Sequence, residues 1–137
     1  MLVKDIMQKS LLTLSPESTI REAARLMKRE NVGCVLITNG QKLSGVLTDR
    51  DITCWLTEGD NPDTTKVASV MRMEVITATP STDVFEAGKI MSNYRVHRLP
   101  IVENSNLCGI ITTSDLALVL KEEVDNFFHV EEAYHHV

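Results

Sequence analysis

Two stretches of the 137-residue chain place a hydroxyl and a carboxylate three residues apart: Gly45-Val46-Leu47-Thr48-Asp49-Arg50-Asp51 and Gly109-Ile110-Ile111-Thr112-Thr113-Ser114-Asp115. In each, an apolar run that reads as a strand gives way to residues that open a helix. Thr and Asp at this spacing can satisfy the orphan N–H groups of a helix's first turn as a capping box. The same pair also suits a nucleotide. A helix N-terminus attracts phosphate. A Thr hydroxyl donates to a phosphate oxygen, and a carboxylate with two acceptor oxygens takes both hydroxyls of a ribose diol. The two roles are compatible, because Thr can cap while Asp faces a cleft.

The elements that must position these residues are duplicated. Shifting the chain by 64 residues aligns Met7 with Met71, Thr13 with Thr77, Pro16 with Pro80, and Glu22-Ala23 with Glu86-Ala87. Met27 falls on Met91, Val32 on Val96, Ile37 on Ile101, Leu43 on Leu107, Gly45 on Gly109, Thr48 on Thr112 and Asp51 on Asp115. These are 12 identities among the 48 positions from 5 to 52, without a gap, and a duplication is the account that fits.

Each copy reads β-α-β-β-α. A short strand, Leu11 to Leu14 or Val75 to Ala78, leads through Ser15-Pro16-Glu17 or Thr79-Pro80-Ser81 into a helix. Ile20, Ala23, Ala24 and Met27, and then Val84, Ala87, Gly88 and Met91, stand at i, i+3, i+4 and i+7. Thr19 with Glu22, and Asp83 with Glu86, supply capping pairs. Cys34 to Thr38 and Leu43 to Leu47 flank an Asn39-Gly40 hairpin signal, matched by Leu99 to Val102 and Leu107 to Ile111. The fold class is α+β (α/β): two three-stranded units about a pseudo-twofold axis, with clefts between them. Neither unit can bury enough surface alone. The boundaries expected are 4–60, 67–122 and a helical tail over 123–137, with Glu58 to Asp63 as linker.

Composition narrows the classes. Apolar residues make up 43% and charged residues 24%, which suits a packed core, and the net charge of −5 argues against binding nucleic acid. Cys34, Cys54 and Cys108 form no C-x-x-C pair, which argues against a disulfide framework or a zinc site. No apolar run approaches the ~18 residues of a membrane span, and the first residues lack a signal-peptide layout. The expectation is a cytoplasmic protein with no membrane or nucleic-acid partner.

The duplicated G-h-h-T-x-x-D ending, the Ser/Thr-Pro before each first helix and the run Val96-His97-Arg98-Leu99-Pro100-Ile101-Val102 resemble the cystathionine-β-synthase (CBS) domain pair. The resemblance extends from about Lys4 to about Glu122. It implies a Bateman module, which binds AMP, ADP or ATP and less often S-adenosyl compounds, commonly dimerises into a flat disc, and acts as an energy sensor. It also implies that Asp51 and Asp115 hold ribose. Thr48, Arg50, Thr112, Ser114, His97 and Arg98 would meet phosphate. Adenine would lie near Val75, Ile76 and Val96 in the cleft of Asp51, and near Leu11, Leu12 and Val32 in the cleft of Asp115. Repeat 1 has Gly33-Cys34 where repeat 2 has His97-Arg98, so one stronger and one weaker phosphate site are expected. Arg50 would add charge in the stronger cleft and Asp49 would oppose it.

The remaining residues favour structural readings. His129, His135 and His136 lack metal-ligand spacing, so no metal site is expected. Met7, Met27, Met71 and Met91 recur with the repeat and read as core. Leu116, Leu120, Val124, Phe127 and Phe128 continue the last helix as a dimer surface or a cap on the core, followed by a second segment. Three functions are weighed: a non-catalytic adenine-nucleotide sensor acting on an unidentified protein, a ligand-free interaction module, and an enzyme. The repeated Asp favours the first, since a carboxylate at a cleft edge needs a partner. No P-loop, nucleophile elbow or metal signature supports the third.

Overall fold

The computed structural model describes residues 1–135, with side chains described through residue 130. His136, and the side chains of Tyr134 and His135, lie outside the described residues. The elements are β1 (Thr13–Leu14), α1 (Ile20–Glu30), β2 (Cys34–Asn39), β3 (Lys42–Thr48), α2 (Asp49–Trp55), α3 (Val84–Tyr94), β4 (Arg98–Glu103), β5 (Asn106–Thr112) and α4 (Thr113–His135). The strands form one sheet in the order β1-β2-β3-β5-β4. The hairpins β2-β3 and β4-β5 are antiparallel, and they join edge to edge through Lys42 and Asn106.

The two halves follow the same local chemistry. Thr19 caps α1 by accepting from the Glu22 N–H at 3.1 Å. Asp83 caps α3 through the Phe85 N–H at 2.8 Å rather than through Glu86. Both helices end on a left-handed residue, Asn31 and Arg95, each at φ 54°. In the second hairpin Asn104 and Ser105 both take positive φ, as a tight primed turn requires. The last helix runs from Thr113 to His135 unbroken, so the expected second segment is the outer part of the same helix.

One expected strand is missing. Val75 to Ala78 does not form a strand; only Ala78 bridges Ile101. In the first half the Leu36 N–H donates to the Leu12 carbonyl at 3.3 Å. The equivalent of Leu36 is Pro100, which has no N–H to give, so that rung cannot form. The Ala78 N–H still donates to the Pro100 carbonyl at 3.1 Å and the Val102 N–H to the Ala78 carbonyl at 2.8 Å, so the second half keeps a single bridge where the first half has the two-residue β1.

The cores are exchanged at their entry points. Val67, from the opening of the second copy, is buried with Ile20, Ala23, Val35, Ile37 and Leu47 of the first. Val3, from the opening of the first copy, is buried with Ala87, Met91, Leu99, Ile101 and Ile111 of the second. Backbone bonds follow the same crossing: the Val67 N–H donates to the Ser18 carbonyl at 2.7 Å, and the Val3 N–H to the Thr82 carbonyl at 2.8 Å. The four repeated methionines all pack on these cores, Met27 and Met91 buried and Met7 and Met71 partly so. Trp55 packs on the first core.

Candidate functional site

The exchange carries the segments after Val3 and Val67 onto the opposite hairpins. Gln8 pairs with Ile110 and Arg72 with Val46 through reciprocal backbone bonds of 2.8–3.0 Å. These crossings are tight. A Cβ at Gly45 would lie 2.7 Å from the Arg72 carbonyl oxygen, and one at Gly109 would lie 2.9 Å from that of Gln8. The repeated glycines are therefore required by close backbone approach.

Both capping boxes form. The Thr48 N–H donates to Asp51 Oδ2 at 2.9 Å, and the Asp51 N–H donates to Thr48 Oγ1 at 3.2 Å. Thr112 and Asp115 repeat both bonds at 2.9 and 3.2 Å. Neither carboxylate is used up by its own helix. Asp51 Oδ1 accepts from the Arg72 guanidinium at 3.1 Å, and its side chain is only 10% exposed. Both oxygens of Asp115 lie 3.2 Å from Gln8 Nε2. Each acid is thus met by a side chain from the opening of the other repeat. Arg72 is largely exposed, so this ion pair adds little stability, about 0–1 kcal/mol.

Two clefts lie back to back beside these boxes. The first, about 220 Å³, brings together Thr48, Val75, Ile76, Val96, His97 and Arg98, with Arg72 and Glu74 also in its lining. The second, about 150 Å³, brings together Leu11, Leu12, Val32 and Thr112, with Gln8 and Ser10. Cys34, Leu36, Arg98 and Ile110 line both and form the dividing wall. Burial pushes the Cys34 thiol above its usual value and Asp51 and Asp49 push the same way, while Arg98 opposes them.

The expected groupings of Thr with the other repeat's apolar residues therefore occur in space. The expected ribose acids, Asp51 and Asp115, do not themselves line either cleft; each holds a side chain that does, Arg72 and Gln8 respectively. Arg50 and Ser114 are exposed and do not line either cleft. On a helix successive residues turn by about 100°, so the residue between the cap and the acid radiates outward. Sequence reasoning missed Arg72 and Gln8. They do occupy equivalent positions, each after a repeated Met, but Gln and Arg differ in charge and neither belongs to a capping or turn motif. Among the described residues, no group of three His, Cys, Asp or Glu could hold a metal ion, and no helix is long and apolar enough to cross a membrane.

The sequence profile of the CBS domain matches residues 3–58 and again 67–122. The chain belongs to the CBS domain family. It is 40% identical over 116 residues to the CBS domain-containing protein YhcV of Bacillus subtilis, covering 85% of this chain and 83% of that protein. Among solved structures, a protein assigned to acetoin utilization (AcuB) from Vibrio cholerae superposes with a TM-score of 0.80 at 26% identity, covering 97% and 96% of the two chains. The CBS domain pair of protein MJ0100, in complex with 5′-methylthioadenosine and S-adenosyl-L-methionine, superposes with a TM-score of 0.76 at 28% identity, covering 90% and 98%. CBS domain pairs are regulatory, ligand-binding modules, and this chain carries both CBS units in one α+β architecture.

Proposed function

We propose that this CBS pair is a regulatory module that binds an adenine nucleotide (AMP, ADP or ATP) between its repeats without chemically changing it, and that the functional units are 4–60 and 67–122. The observation that carries the reading is the pairing, twice over, of a Thr–Asp capping box from one repeat with an apolar cleft wall from the other. Adenine would lie on Val75, Ile76 and Val96, or on Leu11, Leu12 and Val32. The ribose diol would take the outward oxygen of Asp51 from Arg72, or the carboxylate of Asp115 from Gln8. Freed from Asp51, Arg72 would join His97 and Arg98 at the phosphates. Both clefts are smaller than the ~300–1,000 Å³ that encloses a whole ligand, so the phosphates would sit at the rim. The adenosine-bearing ligands of the MJ0100 pair support this class and also keep S-adenosyl compounds as the second ligand reading.

Calorimetry with AMP, ADP, ATP and S-adenosylmethionine tests the proposal. Asp51→Ala removes two charge-assisted bonds to ribose, about 1.5 kcal/mol each, so affinity at one site should fall roughly 100-fold. Unchanged heats in the variant would end the reading. Thermal melting gives a second readout, because a ligand at 100 times its Kd adds about 2.7 kcal/mol. No shift with any of these compounds would leave an interaction module, and product formed from ATP would make the chain an enzyme.

We also place a second copy of the chain against the outer turns of α4. Leu120, Val124, Phe127 and Phe128 all lie at least half exposed there. A contiguous apolar face of this kind marks an interaction site. A homodimer would pass the ligand state to an unidentified target protein.

A further inference from the structure

The two clefts have very different cation inventories. The first is lined by Arg72, His97 and Arg98, with Glu74 opposing them. By the 64-residue correspondence, the matching positions in the first half of the chain are Gln8, Gly33 and Cys34, and none of these carries a positive charge. Among the described residues, Arg98 is the only charged residue lining the second cleft, and it belongs to the wall that the two clefts share. Its pseudo-symmetry mate Cys34 lies on the same wall, and burial keeps that thiol protonated. A guanidinium is one planar fork of donors, and it grips a phosphate best with two of them side by side. Turned to a phosphate in one cleft, it is lost to the other.

We propose that Arg98 is a single phosphate-binding group shared by both clefts, so that a phosphate-bearing nucleoside in one weakens the binding of a second in the other. This rests on the adenine-nucleotide reading of the clefts and adds to it a coupling between them. The first cleft retains the Arg72 guanidinium and the His97 imidazole when Arg98 turns away, and among the described residues the second retains no basic side chain. The pair therefore favours one phosphorylated ligand together with one of low charge, such as a nucleoside. Linkage makes the coupling reciprocal: each phosphorylated ligand weakens the other by the same factor.

A thermodynamic cycle tests this by calorimetry on the full chain. Glu74→Trp obstructs the first cleft and Ser10→Trp the second, each in an exposed loop. Val75→Trp and Leu11→Trp serve as a second pair if either of these fails to fold or to block. Independent clefts require the two AMP association constants of wild type, multiplied together, to equal the product from the two blocked variants. A shared Arg98 requires the wild-type product to be smaller, by about 5- to 150-fold as for typical couplings. The factor should fall toward one when Arg98→Gln is added to all three proteins, and adenosine should give a factor near one throughout. Equal products for AMP in the Arg98-containing proteins would overturn sharing. So would a deficit that persists in Arg98→Gln, because the cause would then be repulsion between the ligands. If wild type binds neither AMP nor adenosine, the adenine-nucleotide reading itself fails, which is a different result from independent binding.

Discussion

Replacing Gly45 by alanine tests the crossing that delivers Arg72 to Asp51. The new Cβ would lie 2.7 Å from the Arg72 carbonyl oxygen and 2.8 Å from Met71 Sδ. The sulfur can swing aside. The carbonyl cannot, because it accepts from the Val46 N–H at 3.0 Å while the Arg72 N–H donates back at 2.9 Å. A relaxed carbon–oxygen contact needs about 3.3 Å or more, so the backbones must part by roughly half an ångström. Overpacking of this kind costs about 1–3 kcal/mol, and the stiffer unfolded chain returns about 0.4–1 kcal/mol. The net loss is about 1–2 kcal/mol. For a chain of this size that lowers Tm by roughly 3–10 °C. Gly109→Ala should behave alike, with 2.8 Å to Met7 Sδ and 2.9 Å to the Gln8 carbonyl. Gly88→Ala is the control of opposite sign. Its Cβ meets only Leu116 Cδ1, at 3.8 Å, inside α3, so helix propensity should raise stability by about 1 kcal/mol. Scanning calorimetry on the three variants decides the matter. Gly45→Ala and Gly109→Ala melting at or above wild type would refute the close-approach argument, and with it the reason for the repeated glycine.

Other expectations concern the thiols and the last helix. Cys54 is exposed and should alkylate well before Cys34, as mass spectrometry of iodoacetamide-treated protein would show. The folded Cys34 thiol has a raised pKa, so as pH rises through the usual thiol range the unfolded chain ionises first. Its stabilising contribution is intact below that range and declines as pH rises through it, by at most about 1.4 kcal/mol per pH unit. Cys34→Ala should flatten that decline in urea melts at pH 8 to 10. The double change Phe127→Glu, Phe128→Glu should convert a dimer to a monomer in sedimentation while leaving Tm within a few degrees, since both rings are more than half exposed. A monomeric wild type would remove that interface.

The duplication, the helices, the hairpins and both capping boxes were legible in the amino-acid order. They are set by neighbours a few residues apart: apolar spacing along α1 and α3, Gly40 at positive φ in the turn between Asn39 and Lys42, and Thr three residues before Asp. The groups of residues beside each cleft came from likeness to a family. Pro100 was visible as a departure from Leu36, but its effect on the strand at Val75 depends on which carbonyl lies opposite it, and that is a matter of tertiary pairing. The exchange of Val3 and Val67 between the cores left no local signature, because either half could have received its own opening turn with the same apolar pattern. Only packing chose between them. That choice put Arg72 on Asp51, Gln8 on Asp115 and Arg98 on the wall of both clefts, contacts between residues 21 or more positions apart that no periodicity encodes.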